Sequence, residues 1–121
     1  MRIACANIAC AAANASLDLF EAEPRLAQVA HIAARLEEGL APCRALPGVR
    51  DVRVMGAIGV VELETMPEPR ALQASFLDKG VWIRPFRNVV YLTPAFVIGD
   101  SELDQLTSAV TSVLGAALRR A

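Results

Sequence analysis

Asp51-Val52-Arg53-Val54-Met55-Gly56-Ala57-Ile58-Gly59-Val60-Val61-Glu62-Leu63 is where the chain changes period. Val52 and Val54 alternate with Asp51 and Arg53, the two-residue repeat of a half-buried strand. Gly56 and Gly59 bracket a bend. Residues 60–63 follow as a second strand, with Val61 and Leu63 on one face and Val60 and Glu62 on the other. Two strands joined by a short glycine connection predict an antiparallel pair.

Upstream the repeat is helical. Residues 3–22 are rich in Ala, the strongest helix former, and place Ile8, Ala12, Ala15 and Leu19 on one face. Pro24 suits the start of a second helix. Leu26, Val29, Ala33, Leu36 and Leu40 form its expected apolar stripe, and Pro42 limits it. Pro47-Gly48 marks a turn. Downstream, Met66-Pro67-Glu68-Pro69 opens a short helix with Leu72, Phe76 and Leu77 inside and Gly80 as its stop. Residues 81–84 and 89–92 read as two more strands. A last helix, capped by Asp100 or Ser101, carries Leu103, Leu106, Val110, Val113 and Leu118. The order ααββαββα, without repeat or linker, predicts one α+β domain over 1–121. Helices would pack on one face of a small, mainly antiparallel sheet.

Composition excludes several functions. The chain has 121 residues, 22 of them Ala, with 12 basic against 13 acidic side chains, which leaves no basic footprint for nucleic acid or anionic lipid. No stretch is apolar enough to span a bilayer. The first residues resemble a secretory signal, but Asn7 and the helical spacing of Leu17, Leu19 and Phe20 argue for a folded helix and a cytoplasmic protein. Cys5, Cys10 and Cys43 form neither a disulfide framework nor a metal motif, and the expectation is three reduced, buried thiols. The single His31 reads as a helix-surface residue without a nucleophile beside it. Glu37-Glu38 reads as a solvated helix face, and Glu62 and Glu64 as the outward side of a strand; neither pair is a specific acid–base signal. No catalytic residue and no metal site is expected.

One cluster stands apart. Trp82, Arg84, Phe86 and Tyr91 bring the only Trp and the only Tyr within ten residues of each other. In a strand, Trp82, Arg84 and Phe86 share a side. An Arg between aromatic rings can grip a planar carboxylate with two parallel hydrogen bonds. The same pattern equally describes an edge Arg lying over aromatic surface, and periodicity does not choose between them.

Gly80-Val81-Trp82-Ile83-Arg84-Pro85-Phe86, followed by Val90-Tyr91-Leu92-Thr93-Pro94, resembles the C-terminal small-domain segment of the adenosylmethionine-8-amino-7-oxononanoate aminotransferases. These are class III, pyridoxal-phosphate (PLP) enzymes of biotin synthesis. The resemblance extends through residues 45–63 and 9–21, and so over about 9–115. It implies that Arg84 holds the carboxylate of a keto-acid substrate and that Phe86 and Tyr91 line the tunnel beside it. It implies a cytoplasmic, dimeric enzyme moving an amino group from S-adenosylmethionine to 8-amino-7-oxononanoate. The family's PLP lysine lies in a preceding large domain that is not among these residues. Lys79 is the only lysine here, at a position expected to face solvent, where an amine is a poor nucleophile. The expectation is therefore a truncated or split enzyme whose small domain binds no PLP and transfers no amino group by itself. Its alternative roles are a carboxylate-binding module using Arg84, or an interaction module that self-associates or joins a chain supplying the large domain.

Overall fold

Alanine content is enough to make the first helix. In the computed structural model, which describes residues 2–120, α1 runs over Arg2–Ala22. Not one residue from 5 to 22 is buried. The helix rests on propensity rather than on packing.

The second helix is built the other way. α2 (Arg25–Leu40) starts beyond Pro24 and buries Ile32, Leu36 and Leu40. Leu26, expected in the stripe, is 82% exposed, and Ile32 takes the inner position instead. A 3-10 turn over Ala41–Ala45 follows, with Pro42 in its first positions, and buries Cys43.

The sheet is antiparallel, in the order β1 (Val49–Met55), β2 (Ile58–Leu63), β3 (Val89–Leu92). Met55 pairs with Ile58 across Gly56-Ala57, and Gly56 has φ +55, the left-handed value that a two-residue II′ hairpin asks of its first loop residue. The second strand thus begins at Ile58, two residues earlier than expected. Gly59 belongs to the strand, not to the bend. A Cβ there would lie 2.8 Å from Leu40 Cδ1, so the missing side chain lets α2 lie close on the sheet.

Register sorts the two faces. Val52, Val61 and Val90 line up across the inner face and are buried under α2. Arg53, Val60 and Tyr91 line up across the outer face, which no helix covers. On that face Arg53 donates to Glu62 at 2.7 Å and to Asp51 at 3.0 Å. The helices therefore lie on one side of a small sheet, as the sequence implies.

Two further helices close the core. α3 (Pro69–Asp78) is capped by Glu68, whose carboxylate accepts from the Ala71 amide at 2.7 Å. Leu72 and Phe76 point inward, while Leu77, expected inside, is half exposed because it sits a quarter-turn beyond them. Gly80 stops the helix with φ +75, its amide donating to Leu77 O. α4 (Asp100–Arg119) buries Leu103, Val110, Val113, Leu114 and Leu118. Leu106 is only partly covered. Its N-cap is Gly99, which has no side chain to cap with, and not the expected Asp100 or Ser101; Asp100 opens the helix and is engaged by His31 Nε2 at 2.7 Å. α4 crosses α2 closely at Gly39, where a Cβ would stand 2.6 Å from Thr107 Cβ.

Two expectations fail outright. Residues 81–84 form no strand; only Phe86 and Val89 make an isolated bridge. The inside–outside alternation is present, with Val81 and Ile83 buried and Trp82 and Arg84 exposed. Gly80 and Pro85 bound the segment so tightly that no ladder forms, and Pro85 has no amide to donate. Of the three cysteines only Cys43 is buried; Cys5 and Cys10 lie exposed on α1. Burial pushes the Cys43 thiol pKa up, against a weak hydrogen bond with Thr111.

The edge of β1 is occupied. A two-residue hairpin makes Met55 and Ile58 a hydrogen-bonded pair, so by alternation the Val52 carbonyl points away from β2. Arg44 Nη2 donates to that oxygen at 3.1 Å.

Candidate functional site

The site follows from a turn. Between the Phe86–Val89 bridge lie Arg87, with φ +52, and Asn88. Phe86 N donates to Val89 O at 3.0 Å, and Val89 N to Phe86 O at 2.9 Å. A non-glycine residue at positive φ is strained and persists only where its surroundings hold it. Asn88 supplies the anchor: its side-chain amide donates to Glu62 at 3.2 Å and to Leu63 O at 3.3 Å. Arg87 also lies over the Phe86 ring, its guanidinium carbon 5.6 Å from the centroid.

From this turn two arms run back. One carries Arg84 and Trp82, the other Tyr91 and Thr93. Counted from the bridge, Arg84 stands level with Tyr91, and Trp82 with Thr93. Between the arms lies an open cleft of about 390 Å³ lined by Trp82, Arg84, Tyr91 and Pro94, with Ile83 and Leu106 at its floor. Trp82 is 72% exposed. Arg84 makes no ion pair or side-chain hydrogen bond among the described residues. Its charge is therefore available to an anion from outside. The arginines of α2 and the sheet differ: Arg35 sits 2.5 Å from Asp104, and Arg53 pairs with two carboxylates.

The structure brings Arg84, Tyr91 and Trp82 into one cleft. It does not bring Phe86 there: its exposed ring turns toward Arg87 on the turn side. Sequence reasoning also missed Asn88, whose role depends on Glu62, 26 residues away in the chain. No local pattern announces that pairing.

The outer-face network has its own electrostatics. The Arg53 hydrogen bond holds the Glu62 carboxyl below its ordinary pKa, with Asn88 and Arg50 assisting against partial desolvation. His31, in the same way, holds Asp100 below the ordinary aspartate value. Lys79 lies exposed at the end of α3. It lines clefts with Ser108, Ser112 and Asp78, none of them shared with the Arg84 cleft. Among the described residues no cluster could hold a metal ion, and no helix is long and apolar enough to cross a membrane.

The chain resembles known proteins over most of its length. The class-III aminotransferase family model matches residues 5–114. The adenosylmethionine-8-amino-7-oxononanoate aminotransferase of Mycobacterium leprae is 42% identical over 108 residues, covering 89% of this chain and 25% of that protein. The enzyme of the same name from Corynebacterium glutamicum is 42% identical over 103 residues, covering 85% of this chain and 24% of that one. A solved structure of this enzyme from Methanocaldococcus jannaschii superposes with TM-score 0.79 at 28% identity, over 89% of this chain and 27% of the other. The chain thus spans about a quarter of the length of the relatives it matches.

Pyridoxal phosphate, the cofactor of this family, needs a lysine amine to carry its aldehyde. The residues present do not fit it unaided, since Lys79 faces solvent outside the Arg84 cleft. What the cleft does offer is an unpaired guanidinium, a group that can hold a carboxylate. The three-stranded sheet under its helices and the match over residues 5–114 agree, and the chain belongs to the class-III aminotransferase family.

Proposed function

We propose that this chain is the C-terminal small-domain portion of a biotin-pathway aminotransferase, one that transfers an amino group from S-adenosylmethionine to 8-amino-7-oxononanoate. Within it Arg84 grips the substrate carboxylate and Tyr91 lines the approach. Trp82 adds an apolar wall. Phe86 stands outside the cleft, beneath Arg87 at the turn. The observation that carries the reading is the unpaired guanidinium of Arg84 between two aromatic side chains, in a segment 42% identical to two enzymes of that name. By itself the chain transfers no amino group and holds no PLP, because its only lysine stands away from that cleft.

A second reading rests on the same cleft. Arg84 and its walls come wholly from these 121 residues, so the domain can bind a carboxylate without further chain.

Two measurements test these statements. Incubation with PLP followed by borohydride is expected to leave no stoichiometric pyridoxyl adduct on Lys79; amino transfer by an unreduced, PLP-loaded preparation of these residues alone refutes the inactivity. Calorimetry with a medium-chain keto acid should give weak heats that Arg84→Ala abolishes while the unfolding midpoint stays put. Identical heats for the two proteins remove Arg84 from the carboxylate role.

A further inference from the structure

We propose that Asn88 is a positioning residue for the carboxylate cleft: its side-chain bonds to Glu62 and Leu63 fix the Arg87 turn, and the turn fixes where the Arg84 guanidinium stands. The inference rests on the carboxylate reading of Arg84 given above. It adds that Glu62, outside the cleft, sets the affinity of the cleft.

The arm that carries Arg84 has few restraints of its own. Among the described residues no backbone–backbone hydrogen bond holds Trp82, Ile83 or Arg84. At one end Val81 N donates to Phe76 O at 3.1 Å, and at the other Phe86 pairs with Val89. Val81 and Ile83 are buried and hold the inner side. The outer side, with Trp82 and Arg84, is set by the ends. Pro85 is the one residue between Arg84 and the bridge. Its ring fixes its own φ and narrows the backbone choices of Arg84, so a shift at Phe86 passes directly to Arg84.

Asn88 acts at the far side of that bridge. Leu63 N donates to Asn88 O at 2.8 Å, and the Asn88 side-chain amide returns two bonds, to Glu62 Oε1 at 3.2 Å and to Leu63 O at 3.3 Å. Three bonds to β2 thus hold the residue that follows Arg87 and its positive φ. Without the side-chain pair one bond is left to oppose a strained backbone.

Glu62 is fully engaged in this anchor. Its Oε2 accepts from Arg53 at 2.7 Å, and its Oε1 serves both Asn88 and, at 3.5 Å, Arg50. Three donors converge on it, more than the single acceptor oxygen of a glutamine can satisfy. Neither Glu62 nor Asn88 lines the Arg84 cleft.

The charge on Glu62 makes the test one of sign. Glu62→Gln removes a negative charge from the neighbourhood, so electrostatics alone predicts tighter binding of an anion. Positioning predicts the reverse, because one of the two anchoring donors loses its acceptor. Calorimetry of the chain with octanoate, and with uncharged octanamide as control, reads the difference well below each variant's unfolding midpoint. Octanoate affinity is expected to fall about tenfold in Asn88→Ala and by a smaller factor in Glu62→Gln, with the octanamide response unchanged. Combining Glu62→Gln with Asn88→Asp sets a donor against an acceptor again at the original net charge, and should recover part of the loss. The indole N–H resonance of Trp82, the only tryptophan, reports on the same arm and should shift in Asn88→Ala without any ligand. Tighter octanoate binding by Glu62→Gln overturns this inference alone. So does an Asn88→Ala protein that binds like the wild type while Arg84→Ala does not bind, or a Trp82 resonance that Asn88→Ala leaves in place. An absence of octanoate heat from the wild type removes the carboxylate reading, and this inference with it.

Discussion

α1 and α2 are both helices with an apolar stripe, and they differ in what holds them. Leu36 of α2 is wholly buried between the sheet and α4, whereas Leu17 of α1 is 62% exposed. The first depends on tertiary packing. The second depends on alanine propensity and would fray locally without disturbing the rest. A periodic stripe shows that a helix has a face; it does not show that the face has found a neighbour.

The sharpest way to break this comparison is one substitution made twice. Leu36→Ala should lower stability by about 2–5 kcal/mol, the cost of a cavity in a packed core. Leu17→Ala should stay within about 0.5 kcal/mol, as exposed positions do. Denaturant midpoints for both, at dilute protein, decide it; equal losses would mean that α1 is packed after all.

The next effect concerns backbones rather than side chains. Gly39→Ala places a methyl on Thr107 at the α2–α4 crossing and should cost about 1–3 kcal/mol by overpacking. Ala12→Gly should cost about 1 kcal/mol of helix propensity, confined to α1. Hydrogen exchange should show the first opening the core and the second only α1. Core protection unchanged in Gly39→Ala would refute the close crossing.

The smallest effect is electrostatic. Folding lowers the Glu62 pKa through Arg53, so the unfolded chain takes up the proton first. The stabilisation is present above the ordinary glutamate value and is lost as pH falls through the lowered one. Glu62→Gln should therefore lower stability at neutral pH, leave it nearly unchanged below the lowered Glu62 value, and so flatten the acid limb of the stability profile. An acid limb of identical shape in both proteins would remove Glu62 from that role.

Much of this architecture is legible in the sequence wherever one residue dictates its own surroundings. Gly56 needs its left-handed turn, Gly80 its helix stop, and Val52, Val54, Val61 and Leu63 their alternation. What is not legible depends on distant neighbours. The expected strand at 81–84 keeps its alternation but has no ladder, since pairing is a property of two segments. Leu26 fits the α2 stripe by spacing yet stays exposed. At the site, Arg84 and Tyr91 are recognisable from composition and from family resemblance. The displacement of Phe86 and the anchoring by Asn88 arise from the strained turn at Arg87 and from Glu62 across the sheet.

Arg44 at the rim of β1 has a consequence of its own. An open strand margin is a template on which further strands can grow, and such growth has no natural end. The guanidinium seated on the Val52 oxygen takes one rung of that template. Removing it would expose the domain to fibrillar deposition without loosening a single contact in its interior.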